Sequence, residues 1–299
     1  MELMVPALLL YASLVNDVRS LLERHDFASA ERAVRTYEAQ TGGTPEAAAA
    51  LSWLARGELD AKNYGRAETY AAEARKLTDD LLRTRKLDSD PWLPIALGAS
   101  IEVHAQALAA QGQRSEAVLF LRQQLKLLGS GPVAERTQKN LNLLSLEAKP
   151  APRLAAGDFI GTKPPSLTEL RGHPVLLFFW AHWCPDCKAE APILADLMRT
   201  YVPKGLVLLA PTKLYGYAAG GEPSSPADEK RYTAKVWQQF YGALGPAPIP
   251  LDDANFQTYG ASTTPTLVLI DGNGIVRYYH PGAASRAELE TRVRQVLAR

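Results

Sequence analysis

Cysteine is scarce in this chain, with only Cys184 and Cys187 among 299 residues. Two cysteines exclude a disulfide framework, and alone they cannot supply the four ligands of a structural zinc site. Charge of either sign is not in excess, since 33 Lys and Arg against 32 Asp and Glu leave a net charge of +1. Without a dense basic patch, nucleic acid and anionic membrane surfaces are excluded as expected partners.

Long apolar runs are also missing. A membrane span needs roughly 20 apolar residues, and the sequence has no such uninterrupted run. Residues 3–14 (LMVPALLLYASL) are apolar enough for a signal-peptide core, but Glu2 precedes them and no Lys or Arg does. For residues 1–15, a signal segment and a first helix beginning near Pro6 therefore both stay open.

Length and composition suit two soluble domains. The 299 residues, 46% hydrophobic and 22% charged, are enough for two cores. Residues 1–148 are rich in Ala, Leu, Glu and Arg and predict an all-α domain. Residues 146–158 (LEAKPAPRLAAGD) contain two prolines and predict a linker. Strand and helix patterns then alternate over residues 149–299, which predicts an α/β domain.

Three stretches of the first half share one pattern: HDFASAERAVRTYEAQ (25–40), KNYGRAETYAAEARKL (62–77) and GQRSEAVLFLRQQLKL (112–127). In each, a turn is followed at the same offset by an alanine, namely Ala30, Ala67 or Ala117. Small residues there let two antiparallel helices approach closely. The pattern resembles the second helix of tetratricopeptide repeats, although the spacing is irregular. A helical bundle without a binding groove is the alternative.

The second half reads as a mixed sheet covered by helices. Residues 175–180 form a continuous apolar run typical of a buried central strand. DGNG (271–274) predicts a hairpin turn between the last two strands. The predicted strands are 175–180, 205–211, 264–270 and 274–280, and the predicted helices are 188–202, 227–244 and 285–299.

The cysteine pair falls where the central strand gives way to a helix. Pro185 suits the first helical turn, since its missing N–H costs nothing there. A thiolate at Cys184 would face free backbone N–H groups and the positive end of the helix dipole, which lowers a thiol pKa. Cys187 lies nearly one turn on and can resolve a mixed disulfide. Position alone thus predicts Cys184 as the attacking thiol and Cys187 as the resolving thiol.

Residues from about 152 to 299 resemble a thioredoxin-fold domain of the TlpA-like thiol–disulfide oxidoreductases. The resemblance is carried by GDF (157–159), LRGHPVLLFFWAHWCPDCKAEAP (170–192), TYGASTTPTLVLIDGNGIV (258–276) and the closing helix. It implies that Pro265 is a cis-proline facing the thiols, that the backbone of Thr264 receives a substrate strand, and that Trp183 is an exposed surface for a partner chain.

The chain departs from the family pattern near the thiols. Asp186 places a negative charge between the cysteines and should oppose thiolate formation. Phe178 stands where thioredoxins carry a buried acid that moves the resolving proton. His182 could replace that acid, but a solvated loop histidine is the simpler interpretation. The Gly- and Pro-rich stretch 214–228 is long enough to form a lid, and Tyr215 and Tyr217 in it would contact a partner or pack against their own domain.

The function that follows is thiol–disulfide exchange on protein disulfides, with no cofactor beyond the redox-active Cys184–Cys187 pair and no metal. The helical domain would recruit a protein partner, and an electron donor is implied but not identified. The family resemblance implies an extracytoplasmic, periplasmic location, with the cytoplasm as the alternative. Rival hypotheses are copper handling, with His182 or His280 beside the thiolates, and a repeat-type scaffold with a vestigial redox domain.

Overall fold

The computed structural model describes residues 13–298. The chain forms two compact units, residues 1–120 and 121–299. The segment 3–14, with its signal-peptide or first-helix interpretation, lies almost wholly outside the described residues. The predicted domain boundary at residue 148 stays a prediction.

The first unit is helical, as its composition predicted. Most of its core consists of alanine and leucine side chains that let neighbouring helices approach closely, and Ala30, Ala67 and Ala117 are all fully buried. The first six helices are α1 (Leu14–Glu23), α2 (Phe27–Thr41), α3 (Pro45–Asp60), α4 (Tyr64–Leu82), α5 (Trp92–Ala110) and α6 (Arg114–Leu128), of which α6 runs past the end of the unit.

Three equivalent turns join these helices in pairs. His25, Lys62 and Gly112 each have a positive φ, of 58°, 63° and 87°, and each lies five residues before one of the buried alanines. In every turn the following N–H bonds to a carbonyl five residues back, as in a Schellman motif: Asp26 to Leu21, Asn63 to Glu58 and Gln113 to Leu108. The repeated sequence pattern therefore corresponds to a repeated helix–turn–helix geometry, whereas a tetratricopeptide-like arrangement stays a prediction.

One helix of this unit, α5, is long and apolar enough to cross a membrane by length and composition alone. The sequence analysis had found no apolar run long enough to cross a membrane. It did not single out α5, because small residues rather than large apolar ones fill much of this helix. It packs against α3 and α4, and 56% of its apolar window is buried. This burial is typical of the central helix of a bundle.

The second unit contains the predicted mixed sheet. A four-stranded sheet has the order β3-β2-β5-β6, with β2 parallel to β3 and antiparallel to β5, and β5 antiparallel to β6. Two short strands that the sequence pattern did not predict, β1 and β4, pair separately. The strands are β1 (Phe159–Ile160), β2 (Val175–Phe179), β3 (Val207–Leu209), β4 (Ile249–Pro250), β5 (Thr266–Ile270) and β6 (Val276–Pro281).

Five helices accompany the sheet: α7 (Pro132–Ser145), α8 (Pro185–Tyr201), α9 (Pro226–Tyr241), α10 (Asp253–Tyr259) and α11 (Arg286–Leu297). Strand β2 is buried on both faces, which explains its continuous apolar run. Leu176 and Phe178 face a core shared with α8, α9 and α11, whereas Leu177 and Phe179 face one shared with α10. This central strand leads directly into the loop that carries the cysteines.

The predicted linker over residues 146–158 lies within the second unit and is hydrogen-bonded to the sheet region. The N–H groups of Ala148 and Ala151 bond to the carbonyls of Val276 and Gly274, which extends the sheet edge at β6. The Tyr259 hydroxyl also donates to the carbonyl of Pro152 at 2.6 Å. Proline and small residues signalled a break in regular structure correctly, but strand edges accept such residues too.

Candidate active site

Cys184 is the N-cap of α8, and the two cysteines form a disulfide. Its Sγ atom accepts the backbone N–H of Cys187 at 3.0 Å. This is the arrangement that the sequence predicted, a sulfur at the positive end of a helix with Pro185 in the first turn. Cys184 retains a trace of exposure at 2%, whereas Cys187 has none.

The segment STTPT (262–266) meets the cysteine pair from the far end of the sequence. The Thr264–Pro265 peptide bond is cis, as the family resemblance implied. The Sγ atom of Cys184 lies 3.4 Å from the carbonyl oxygen of Thr264. Pro265 is buried and Thr264 is half-buried, so the backbone beside the sulfur borders the surface.

The residues on either side of Cys184 in the motif are exposed at the surface. Trp183 is 45% exposed, in agreement with its expected place on the surface. Pro185 and Asp186 are exposed as well. Lys188, the residue after Cys187, lies with its Nζ atom 4.7 Å from the centroid of the Phe240 ring.

The interpretation of His182 as a solvated loop histidine is wrong. Its side chain is 1% exposed, and its Nε2 atom lies 3.2 Å from Oε1 of Glu229, which is equally buried. Burial lowers the pKa of the imidazole, and Glu229 opposes that shift. The partner lies 47 residues away on α9, so local sequence gave no sign of the pair.

The stretch that the sequence suggested as a lid packs around this histidine. Residues 213–225, called the tyrosine loop below, place the rings of Tyr215 and Tyr217 edge-on against the His182 ring, at 5.5 and 5.3 Å between centroids. Tyr215 also meets Trp183 edge-on at 5.5 Å. Both tyrosines are half-buried and contact their own domain, which was one of the two predicted alternatives.

Glu190 is a functional candidate that the sequence analysis missed. Its carboxyl group lies three residues after Cys187 on α8 and is buried, with Oε1 accepting the N–H of Ala284 at 2.9 Å. Among the described residues Oε2 has no hydrogen-bond partner. Burial raises the pKa of this carboxyl to about 7. The signal available in the sequence was the spacing of three residues between Cys187 and Glu190. Position 178, where thioredoxins carry a buried acid, is a buried phenylalanine in this chain.

The imidazoles named for metal handling are engaged elsewhere. His182 faces Glu229, and Nε2 of His280 lies 3.2 Å from the carbonyl oxygen of Ala283. Across residues 13–298, no group of three or more His, Cys, Asp or Glu side chains is arranged to hold a metal ion.

Sequence and structure comparisons match this half of the chain to known proteins. A family described as "Thioredoxin-like domain" matches residues 166–297. The thiol–disulfide oxidoreductase ResA of Bacillus thuringiensis (strain Al Hakam) is 30% identical over 148 residues, which are 50% of this chain and 77% of the relative. The thiol:disulfide interchange protein DsbE of Xylella fastidiosa (strain Temecula1) is 30% identical over 136 residues, 44% of this chain and 59% of that protein.

Among solved structures, a thiol:disulfide interchange protein DsbE from Chlorobium tepidum is 25% identical, covers 50% of this chain and 97% of that chain, and has a TM-score of 0.40. The sheet order, the cysteine pair at the helix N-terminus and the neighbouring cis-proline define a thioredoxin fold. The chain belongs to the thioredoxin-like family of thiol–disulfide oxidoreductases, and it is a redox enzyme.

Proposed function

We propose that Cys184 attacks disulfides of protein substrates and that Cys187 resolves the resulting mixed disulfide. The observation that carries this assignment is the hydrogen bond from the N–H of Cys187 to Sγ of Cys184 at the start of α8. In the reduced protein the same N–H and the helix dipole would stabilise a thiolate at Cys184, and the thiolate is the species that attacks.

The exchange proceeds in two steps, each of which forms one S–S bond and breaks another. The Cys184 thiolate attacks one sulfur of the substrate disulfide, forms a mixed disulfide and displaces the other substrate sulfur as a thiolate. The Cys187 thiol then loses its proton and attacks Sγ of Cys184, which releases the second substrate thiolate. Two electrons pass from the enzyme dithiol to the substrate, and an external dithiol donor must restore the reduced enzyme.

Glu190 is the group to which we assign the proton of Cys187. The two residues are three positions apart on α8, a spacing that places side chains on one helix face. The raised pKa of about 7 lets the carboxyl accept a proton at Oε2, which has no partner among the described residues. A base works best when its pKa lies near the working pH.

A substrate segment would pair in extended form with the backbone beside Thr264, in the manner of an added strand. The half-buried carbonyl 3.4 Å from Sγ supports this placement. The helical unit would recruit or orient the substrate protein, and the three equivalent turns support its construction from repeated hairpins. An extracytoplasmic location, implied by the TlpA-like resemblance, completes the proposal, and cell fractionation tests it.

The test of the function is insulin disulfide reduction with dithiothreitol, followed as precipitation of the insulin B chain. We expect Cys184→Ser to lose the catalysed rate and to match the dithiothreitol blank. Thr263→Ser, a conservative change in the segment 262–266 that lies next to Cys184, is the control and should retain the catalysed rate. Equal rates for the wild type, Cys184→Ser and the blank would contradict the proposed activity.

A further inference from the structure

The loop next to the cysteines is tied to the residue that lies two positions before the attacking thiol. Oε1 of Glu229 contacts the His182 ring and also accepts the N–H of Tyr215, while Oε2 accepts the N–H of Gly216 at 2.8 Å. The Tyr217 ring packs edge-on against the imidazole, with 5.3 Å between the ring centroids. One buried carboxylate and one imidazole therefore fix three consecutive residues of the tyrosine loop.

The loop has an internal structure that this attachment orients as a whole. Tyr217 forms an antiparallel bridge with Pro223, and the N–H of Ser224 bonds to the carbonyl of Gly216 at 3.0 Å. At its end, the Ser225 side chain accepts the N–H of Asp228 and caps α9, the helix that carries Glu229. The loop is thus a small hairpin whose base is bound to the active-site segment.

This attachment holds two aromatic rings next to each other beside Cys184, those of Tyr215 and Trp183. These two rings are called the wall below. The Tyr215 ring stands edge-on to Trp183, which is 45% exposed beside Cys184. Residues 214–221 (LYGYAAGG) carry no charge. A wall of this composition recognises apolar or aromatic side chains through contact area rather than through charge pairing.

We propose that His182 and Glu229 are positioning residues that hold the tyrosine loop against Trp183, and that this wall selects protein disulfides with an apolar or aromatic residue beside the cysteine. The inference rests on the proposed thiol–disulfide exchange at Cys184. It adds that a small disulfide, which is too short to reach the wall, gains nothing from the pair, whereas an extended peptide does.

The test compares two substrates of the pre-reduced full chain by stopped-flow fluorescence. One is a peptide disulfide with a phenylalanine next to the attacked cysteine, and the other is bis(2-hydroxyethyl) disulfide. The measured quantity is the ratio of their second-order rate constants, with the peptide titrated to separate its binding from its limiting rate. Glu229→Gln cannot accept both loop N–H groups, and His182→Ala loses the ring contacts.

For both variants we expect the peptide-to-small-disulfide ratio to fall about tenfold, mainly through weaker peptide binding. His182→Gln retains a donor toward Glu229 and should recover part of the loss, and Glu222→Gln at the exposed loop tip should keep the wild-type ratio. If His182→Ala does not fold, Tyr215→Ala removes the wall itself and should lower the ratio to the same extent.

An unchanged ratio in Glu229→Gln and Tyr215→Ala would overturn the inference, whether both rate constants stay constant or fall together. In that case the pair stabilises the fold or the thiol and does not select substrates. A wild-type protein that reduces neither substrate would instead overturn the proposed function. The two failures are therefore distinguishable.

Discussion

The sulfur of Cys184 lies 3.4 Å from the carbonyl oxygen of Thr264, a residue 80 positions away in the sequence. The contact joins the start of α8 to the segment that precedes β5. Because β2 and β5 are neighbouring antiparallel strands, the end of β2 and the start of β5 lie at the same edge of the sheet. The redox pair and the backbone that would receive a substrate thus meet through sheet topology.

The buried carboxyl of Glu190 should make stability depend on pH. Its pKa of about 7 in the folded protein exceeds the usual 4.5, so the folded state binds more protons between these values. The free energy of unfolding of the oxidised protein should therefore fall as pH rises from 4.5 to 7, by about 3 kcal/mol for this group.

Glu190→Gln should remove that slope and raise stability at pH 7.5, since the amide oxygen can still accept the N–H of Ala284. The measurement is urea unfolding at a series of pH values, with exposed Glu222→Gln as the control for loss of a carboxylate. A Glu190→Gln protein with the wild-type slope would show that another group titrates.

The close approach of α7 to the C-terminal end of α10 should depend on Gly260. A Cβ atom at this position would lie 2.3 Å from the backbone nitrogen of Lys139, and the residue has φ +59°. Gly260→Ala should therefore destabilise the protein by about 3 kcal/mol, combining left-handed strain with overpacking.

Gly205→Ala is the matched control for Gly260→Ala. Gly205 is also left-handed, with φ +99°, but its Cβ would meet only the His173 ring at an ordinary 3.7 Å. This change should cost about 1 kcal/mol. Equal losses in the two variants, measured by chemical denaturation, would contradict the tight contact between α7 and Gly260.

The turn between α3 and α4 offers a stabilising change. Lys62 is exposed and has φ +63°, a conformation that costs a residue with a Cβ about 1–2 kcal/mol. Lys62→Gly should raise stability by about 0.5 kcal/mol after the greater chain entropy of glycine is subtracted.

The control for this change is Lys76→Gly, at an exposed position inside α4, which should lower stability by about 1 kcal/mol. Calorimetry of the full chain compares the two unfolding temperatures. A lower unfolding temperature for Lys62→Gly would contradict the geometry assigned to the turn.

The sequence predicted the elements whose signal is local. The apolar run at 175–180 predicted β2, and DGNG predicted the hairpin between β5 and β6. The two-residue strands β1 and β4 have no detectable period, since alternation needs several residues. Residues 146–158 were predicted as a linker, and their hydrogen bonds to Gly274 and Val276 could not be inferred because proline and small residues mark a strand edge as well as a linker.

At the active site, too, features with a local sequence signal were predicted and features that depend on tertiary packing were not. The cysteine pair and Pro265 belong to compact motifs and were found from the sequence. The buried state of His182 depends on Glu229, which reaches it only after α9 has packed beside the active-site loop. The raised pKa of the Glu190 carboxyl arises from burial, and its hydrogen-bond partner Ala284 lies 94 residues away, so this pKa could not be inferred from neighbours in the sequence.

The central claim is that Cys184 attacks and Cys187 resolves, and trapping of the mixed disulfide tests it most directly. Reduced Cys187→Ala and reduced Cys184→Ala are each mixed with an oxidised peptide, and the products are weighed by mass spectrometry under non-reducing conditions. We expect Cys187→Ala to hold one peptide in a bond that dithiothreitol releases, and Cys184→Ala to hold almost none. A trapped peptide in Cys184→Ala, with none in Cys187→Ala, would reverse the two roles and contradict the account.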